Sequence, residues 1–449
     1  MWRRTQERGS LASSSDSIAP SATATASLST GQRLKSIFGG SIGNLVEWYD
    51  WYAYSSFAIY FAESFFPKSD PTLQLLNTAA IFALSFFMRP IGGWVLGRYA
   101  DRHGRKAALT LSVTLMCTGS LIIACTPGYA TIGFFAPALL LIARLLQGFS
   151  VGGEYGTSAT YMSEIATASS RGFYSGILYV TLVMGQLLAL GVLMLLQFVL
   201  LDAQQLESWG WRIPFVIGAL AALVAMYLRR NLSETEAFAK ASTRKASDAG
   251  QMKALLRHPR EVLTVIGLTM GGTLFFYTFT NYMQKFLVNT VGLTKGESTL
   301  VSAGTLFVFM LLQPLMGAIS DRVGRRPMLI VFGVLALSTT FPLLSALEQT
   351  HDAWTAFFLI TIALTISSLY SSISAIVKAE LFPVEIRALG VGLPYAIGVS
   401  LFGGTAEPIA LWCKSIGHES WFYWYVTGCV LVSLLVYWSM RETKATSTI

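Results

Sequence analysis

Charged side chains are scarce in this chain of 449 residues: Asp, Glu, Lys and Arg make up 12% of it, against about a quarter in soluble domains. Apolar residues reach 53% and the mean hydropathy is +0.55, so a soluble globule would expose far too much apolar surface. The composition reads as a polytopic helical membrane protein. Cysteine is rare too. Cys117, Cys125, Cys413 and Cys429 lie in or beside apolar runs with no C-x-x-C spacing, which argues against a metal site or a disulfide framework and leaves small packing residues. Only four histidines occur, with no H-E-x-x-H, no Ser–His–Asp pattern and no G-x-x-x-x-G-K-[ST]. No catalytic residue, metal or cofactor is therefore expected. The Gly-rich run Ser150–Gly156 lies inside an apolar segment, where close helix packing explains it better than a phosphate cradle. The formal charge of +8 sits in short turns between apolar runs, which argues against nucleic acid as a partner.

What the chain does have is a repeat. Gly97–Lys106, GRYADRHGRK, returns 220 positions later as Gly317–Arg326, GAISDRVGRR, each time after a long apolar run. Both read G-x-x-x-D-R-x-G-R-[KR], so Gly97, Asp101, Arg102 and Arg105 answer to Gly317, Asp321, Arg322 and Arg325. Glu164 and Arg171, seven apart, are matched by Glu380 and Arg387 at a similar offset. A repeat of this length in a chain this apolar implies two homologous membrane halves.

Twelve apolar segments, each near the roughly 20 residues that span a bilayer, predict an all-α membrane protein of two pseudo-symmetric six-helix halves. They fall at about 37–62, 75–97, 107–126, 133–157, 172–200, 213–228, 262–287, 298–319, 328–347, 354–377, 388–411 and 421–439. The implied organisation is a disordered Ser/Thr/Ala-rich tail at 1–32, without the apolar core of a cleaved signal. A first half follows at 33–228, then a polar central loop at 229–260, a second half at 261–440 and a short tail at 441–449. With the N-terminus inside, 25 Lys and Arg fall on the cytoplasmic side and five outside, and Arg89 and Arg144 remain within helices. That asymmetry places both termini in the cytoplasm.

An ionisable group deep in a membrane segment is expensive and calls for a reason. Glu47 and Asp50 are three apart in the first segment, on neighbouring positions of one face. Glu47 lies roughly 18 Å above Lys35 at 1.5 Å per residue. Burial favours the uncharged form of a carboxyl group, so either acid is a candidate to take up and release a proton, and either can instead balance a buried arginine. Arg89 precedes Pro90, Gly92 and Gly93, while Arg144 shares its helix face with Gln147 and Gly148. A guanidinium suits a carboxylate because its planar fork gives two hydrogen bonds, but each Arg can equally neutralise Glu47, Asp50 or Glu154. The seventh segment carries Tyr277, Thr280, Asn281, Gln284 and Lys285 on a polar side that lipid does not tolerate, so that side is expected to line a cavity. Lys285 and Lys378 are expected to snorkel to the two interfaces. Glu407, before Pro408, is a further candidate for proton coupling.

The doubled polar turn resembles the signature of the major facilitator superfamily of secondary transporters. Gly43–Tyr54 (GNLVEWYDWYAY), Met88–Trp94 (MRPIGGW) and Ala143–Glu164 are similar to its metabolite:proton symporter branch, and the likeness runs from Ile37 to Trp438. Tyr277–Thr290 and Lys378–Pro383 point to the α-ketoglutarate carriers of that branch. The resemblance implies proton-coupled import of α-ketoglutarate by alternating access, in a monomer of a bacterial inner membrane surrounded by lipid, with a small organic anion and protons as partners. Tyr52, Arg89, Arg144, Gln147, Tyr277, Thr280 and Asn281 are then the expected substrate-binding set, and Glu47, Asp50, Glu154 and Glu407 the proton-coupling set. The turn residues would close the inner side in one state and release it in the other. Alternatives within the branch are citrate, another dicarboxylate, shikimate or a zwitterionic osmolyte. An alternative outside it is a transporter-like metabolite receptor.

Overall fold

The computed structural model describes residues 30–67, 70–103, 105–152, 155, 159, 166, 169–230, 252–383 and 386–446, and among them there is no strand. Twelve long helices follow one another. The first six are α1 (Thr30–Phe65), α2 (Pro71–His103), α3 (Arg105–Cys125), α4 (Phe135–Val151), α5 (Arg171–Leu200) and α6 (Ile213–Arg230). The second six are α7 (Pro259–Val291), α8 (Lys295–Val323), α9 (Arg325–Gln349), α10 (Ala353–Glu380), α11 (Arg387–Ser415) and α12 (Glu419–Ser439). Eight of these are long and apolar enough to cross a membrane as they stand. In α3, α4 and α6 the apolar stretches are shorter, and α1 is 36 residues long with its two acids near the middle. The alternation puts the start of α1 and the end of α12 at one end of the bundle, together with both repeated polar turns. We call this the basic end.

Local chemistry sets the breaks. Gly324 at φ +105° makes the turn from α8 to α9, a conformation that side chains with a Cβ rarely adopt. Asp352 caps α10, accepting from the Thr355 amide at 2.8 Å and its hydroxyl at 2.9 Å. Those bonds, the amide foremost, hold the Asp352 carboxyl below the usual carboxylate range.

The two halves meet along two helix pairs that the repeat makes equivalent: α5 lies on α8, and α2 lies on α11. At the α5–α8 crossing Gly172 and Gly317 touch backbone to backbone, and a Cβ on either would overlap the other's carbonyl oxygen. Membrane helices gain their packing energy from such close approach, because lipid supplies no hydrophobic drive. Within the first half the same device joins α2 to α4. A Cβ on Gly148 would overlap the Ser85 carbonyl, one on Gly92 that of Phe149, and one on Gly152 that of Arg89. The glycines beside the two buried arginines thus fix how closely the helices bearing them run.

Candidate functional site

The site is built from the middle of α1 outward. Asp50 is buried and turned into the first half, where it accepts from Ser120 Oγ at 2.5 Å and Gln147 Nε2 at 2.5 Å. Gln147 in turn accepts from Arg144 Nη1 at 2.7 Å. Asp50 and Arg144 are therefore joined through an amide, and the direct ion pair that sequence reasoning allowed is not formed. Glu47 goes elsewhere. It lines a cavity of about 20 Å³ between the halves, together with Asn44 and Arg89 from the first half, Tyr155 from the stretch after α4, and Tyr395 from α11. The two acids share a helix face only loosely, since a three-residue step turns the helix about 60° short of a full circle. That turn is enough to give one acid to the protein interior and the other to the cavity.

Trp51 lies between the two arginines. The Arg89 guanidinium is 4.2 Å from the Trp51 ring centroid and 4.2 Å from that of Phe86. Arg144 is 4.3 Å from Trp51 and 4.3 Å from Tyr54. Aromatic faces stabilise a desolvated cation by about 2 kcal/mol or more and leave the donors at its edge unused. Arg144 is fully buried, and its Nε and Nη2 make no hydrogen bond among the described residues. Trp51 was not among the expected site residues; its place one residue beyond Asp50 in an aromatic run was the signal.

The second half closes over this group from α7. Residues Thr278–Tyr282 form a π-helical turn, a local widening common at functional sites. The turn holds Thr280 and Asn281, and the Thr280 carbonyl accepts from the Tyr52 hydroxyl at 2.6 Å across the interface between halves. Asn281 Nδ2 has no partner among the described residues, and Tyr277 packs edge-on against Phe86 at 5.4 Å. The expected contributors Tyr52, Arg89, Arg144, Gln147, Tyr277, Thr280 and Asn281 are all buried. The cavity beside them is close to the size of one water, so an organic ligand requires the helices to part.

Both expected snorkelling lysines are corrected. Lys285 is 1% exposed, pairs with Glu407 at 2.7 Å and donates to Ser55 of α1 at 3.1 Å. A partner on α11 was available, and an internal ion pair replaced the reach to the interface. Lys378 is also fully buried, against Ser374, Tyr155 and Tyr395.

At the basic end the second copy of the repeated turn bridges the halves. Asp321 accepts from the Gly172 amide at 2.8 Å and the Phe173 amide at 2.9 Å, both at the start of α5. It also pairs with Arg325 at 2.9 Å, and Arg325 is within 3.7 Å of Glu380. An anion at a helix N-terminus meets unpaired N–H groups and a favourable dipole. Gly317 supplies the close approach beneath it, while Arg322 is exposed and adds only charge. In the first copy, Gly97, Asp101 and Arg102 fall in α2 and Arg105 in α3, with side chains outside the described residues, as is Glu154.

Asp321→Asn removes the charge and one acceptor face from this bridge. The closing role that the resemblance implies for the repeated turn predicts that transport slows about tenfold or more while substrate affinity changes less than about threefold, a charged hydrogen bond being worth about 1.5–3 kcal/mol. Transport rate and equilibrium binding on the same purified variant check it.

Residues 37–262 match the family described as sugar (and other) transporter, and residues 278–448 match the Major Facilitator Superfamily. The chain is 55% identical to the alpha-ketoglutarate permease of Escherichia coli (strain K12), covering 91% of this chain and 93% of that one. It is 34% identical to a citrate-proton symporter of Salmonella typhi, over 87% and 90% of the two chains. In fold it is similar to the proton:xylose symporter XylE bound to 6-bromo-6-deoxy-D-glucose, with a TM-score of 0.75 at 18% identity, covering 94% and 98%. These relatives are transporters and none is an enzyme.

Proposed function

The chain belongs to the major facilitator superfamily, and we propose that it carries α-ketoglutarate together with protons into the cell by alternating access. The observation that carries this reading is the pair of buried arginines on Trp51, with two Arg144 donors unused. A planar fork held dry by aromatic faces is ready for a carboxylate. The 55% identity to a permease of that name supports the substrate. In this reading Arg144 and Arg89 take the substrate, Tyr52, Gln147, Tyr277, Thr280 and Asn281 shape its pocket, and Glu47 carries the proton. Glu47 is chosen over Asp50 because it borders the cavity between the halves, whereas Asp50 is turned into the first half towards Ser120 and Gln147. Glu407 is committed to Lys285 and is assigned to holding α7 on α11.

Coupling follows from electrostatics. Drawing a dianion into a negative-inside cell costs about 4.6 kcal/mol per 100 mV, twice the roughly 2.3 kcal/mol for one charge. Two accompanying protons cancel that cost, and a pH gradient or a further proton supplies accumulation. We place the protein as a monomer in the bacterial inner membrane with the basic end, and so both termini, in the cytoplasm, on an asymmetry in Lys and Arg that is 24 to four once the buried Lys378 and Lys285 are set aside. The polar turns then form the inner closure.

Counterflow of labelled α-ketoglutarate into proteoliposomes preloaded with unlabelled acids tests the substrate without any gradient. Preloaded α-ketoglutarate is expected to drive the largest transient uptake, ahead of citrate, other dicarboxylates, shikimate and betaine. Citrate driving more than α-ketoglutarate would move the assignment to a tricarboxylate, and no counterflow with any of them would point to a receptor.

A further inference from the structure

Lys378 lies on α10, fully buried, two residues before the end of a 28-residue helix that begins at the opposite end of the bundle from the basic turns. Its ammonium donates to Ser374 Oγ at 2.7 Å and reaches the Tyr155 hydroxyl at 3.5 Å. It also sits 3.9 Å from the Tyr395 ring centroid and 5.5 Å from that of Tyr155. Among the described residues no carboxylate is within ion-pair distance of it. This sets it apart from the other deep lysine, since Lys285 has Glu407 at 2.7 Å. A buried cation left without an anion is costly, and a binding site is the usual reason for tolerating one.

Its surroundings say which anion. Tyr155 and Tyr395 stack with centroids 3.8 Å apart and form one wall of the small cavity that Glu47 and Arg89 line from the first half. Lys378, on the second half, touches both rings and is not itself among the residues lining the cavity. Arg89 and Lys378 are thus linked through the same tyrosine pair, Arg89 lining the cavity with it and the Lys378 ammonium resting against it. We propose that Lys378 is the counter-ion for the second carboxylate of a dicarboxylate whose first carboxylate is held by the arginines. Parting the stacked tyrosines opens the ammonium to the cavity, and a ligand charged at both ends then ties the two halves together. A point charge with three rotatable donors suits a distal carboxylate, and the planar forks suit the 2-oxo acid end. The competing role is glue alone, with Lys378 fastening α10 to Tyr155 and Tyr395 at the closed seam.

This inference rests on the α-ketoglutarate reading, and one titration separates the two. Equilibrium binding to the purified full chain in detergent is measured with α-ketoglutarate and with 2-oxopentanoate, the same acid with a methyl group in place of the distal carboxylate. The unmodified protein is expected to prefer α-ketoglutarate by on the order of 100-fold, since the methyl analogue leaves the buried ammonium without its charged partner. In Lys378→Gln and Lys378→Met the preference is expected to collapse to within about threefold, with 2-oxopentanoate binding almost unchanged. Lys378→Arg is expected to keep most of it. Equal loss of both ligands in folded variants, or an intact preference, would overturn the role of Lys378 and leave the substrate reading standing. If Lys378→Met does not fold, Lys378→Gln and Lys378→Arg give the same comparison. Failure of the unmodified protein to bind either compound overturns the substrate reading and this inference with it.

Discussion

Arg144→Lys is expected to weaken α-ketoglutarate binding by on the order of 100-fold or more, although the charge is kept. The guanidinium spends one donor on Gln147 and two aromatic faces on support, which leaves Nε and Nη2 without a hydrogen-bond partner among the described residues. Lysine cannot reproduce two parallel bonds, and each charged hydrogen bond is worth about 1.5–3 kcal/mol. The rival account makes Arg144 the counter-charge of Asp50, relayed by the Gln147 amide. Under it, Arg144→Gln would leave Asp50 buried and uncompensated, and adding Asp50→Asn should restore binding. The geometry predicts a split result instead: the double variant recovers yield and thermal stability but not affinity. Recovery of affinity would make Arg144 structural. Pairing Arg144→Gln with Glu47→Gln is expected to recover neither, because Glu47 belongs to the cavity.

Glu47→Gln should separate movement from coupling. Glutamine fills the same volume but cannot exchange a proton, so exchange of labelled for unlabelled substrate is expected to persist at a rate within about tenfold of the unmodified protein. Proton-driven accumulation should fall to a ratio near unity, because the step that couples the gradient has lost its carrier. Asp50→Asn is expected to lower both activities together through the Ser120 and Gln147 bonds it disturbs. Accumulation by Glu47→Gln close to that of the unmodified protein would transfer the proton to another acid, with Glu407 the next to examine.

Much of the architecture was legible because membrane helices are written in long apolar runs. The repeated turn also implied two homologous halves, while the α5–α8 and α2–α11 seams where they meet emerge only from the structure. The polar face of α7 was legible as well, since Thr280 and Asn281 had nowhere else to go. What a linear reading could not supply was rotation and partnership. Glu47 and Asp50 are three residues apart, yet only helix orientation assigns one to the cavity and one to Ser120. Lys285 was expected at an interface by its nearness to a helix end, and its actual partner, Glu407, is on another helix. The cation–π arrangement on Trp51 draws on α1, α2 and α4 at once, so no local pattern announces it.

The most direct test of proton-coupled dicarboxylate uptake is accumulation of labelled α-ketoglutarate in proteoliposomes under an imposed pH gradient, alkaline inside. Accumulation well above the external concentration, abolished by a protonophore and enhanced by a negative-inside potential only if more than two protons accompany each dianion, is the predicted result. Uptake that stops at equilibrium with the medium, or accumulation indifferent to the protonophore, would contradict the symport account and leave facilitated diffusion or exchange.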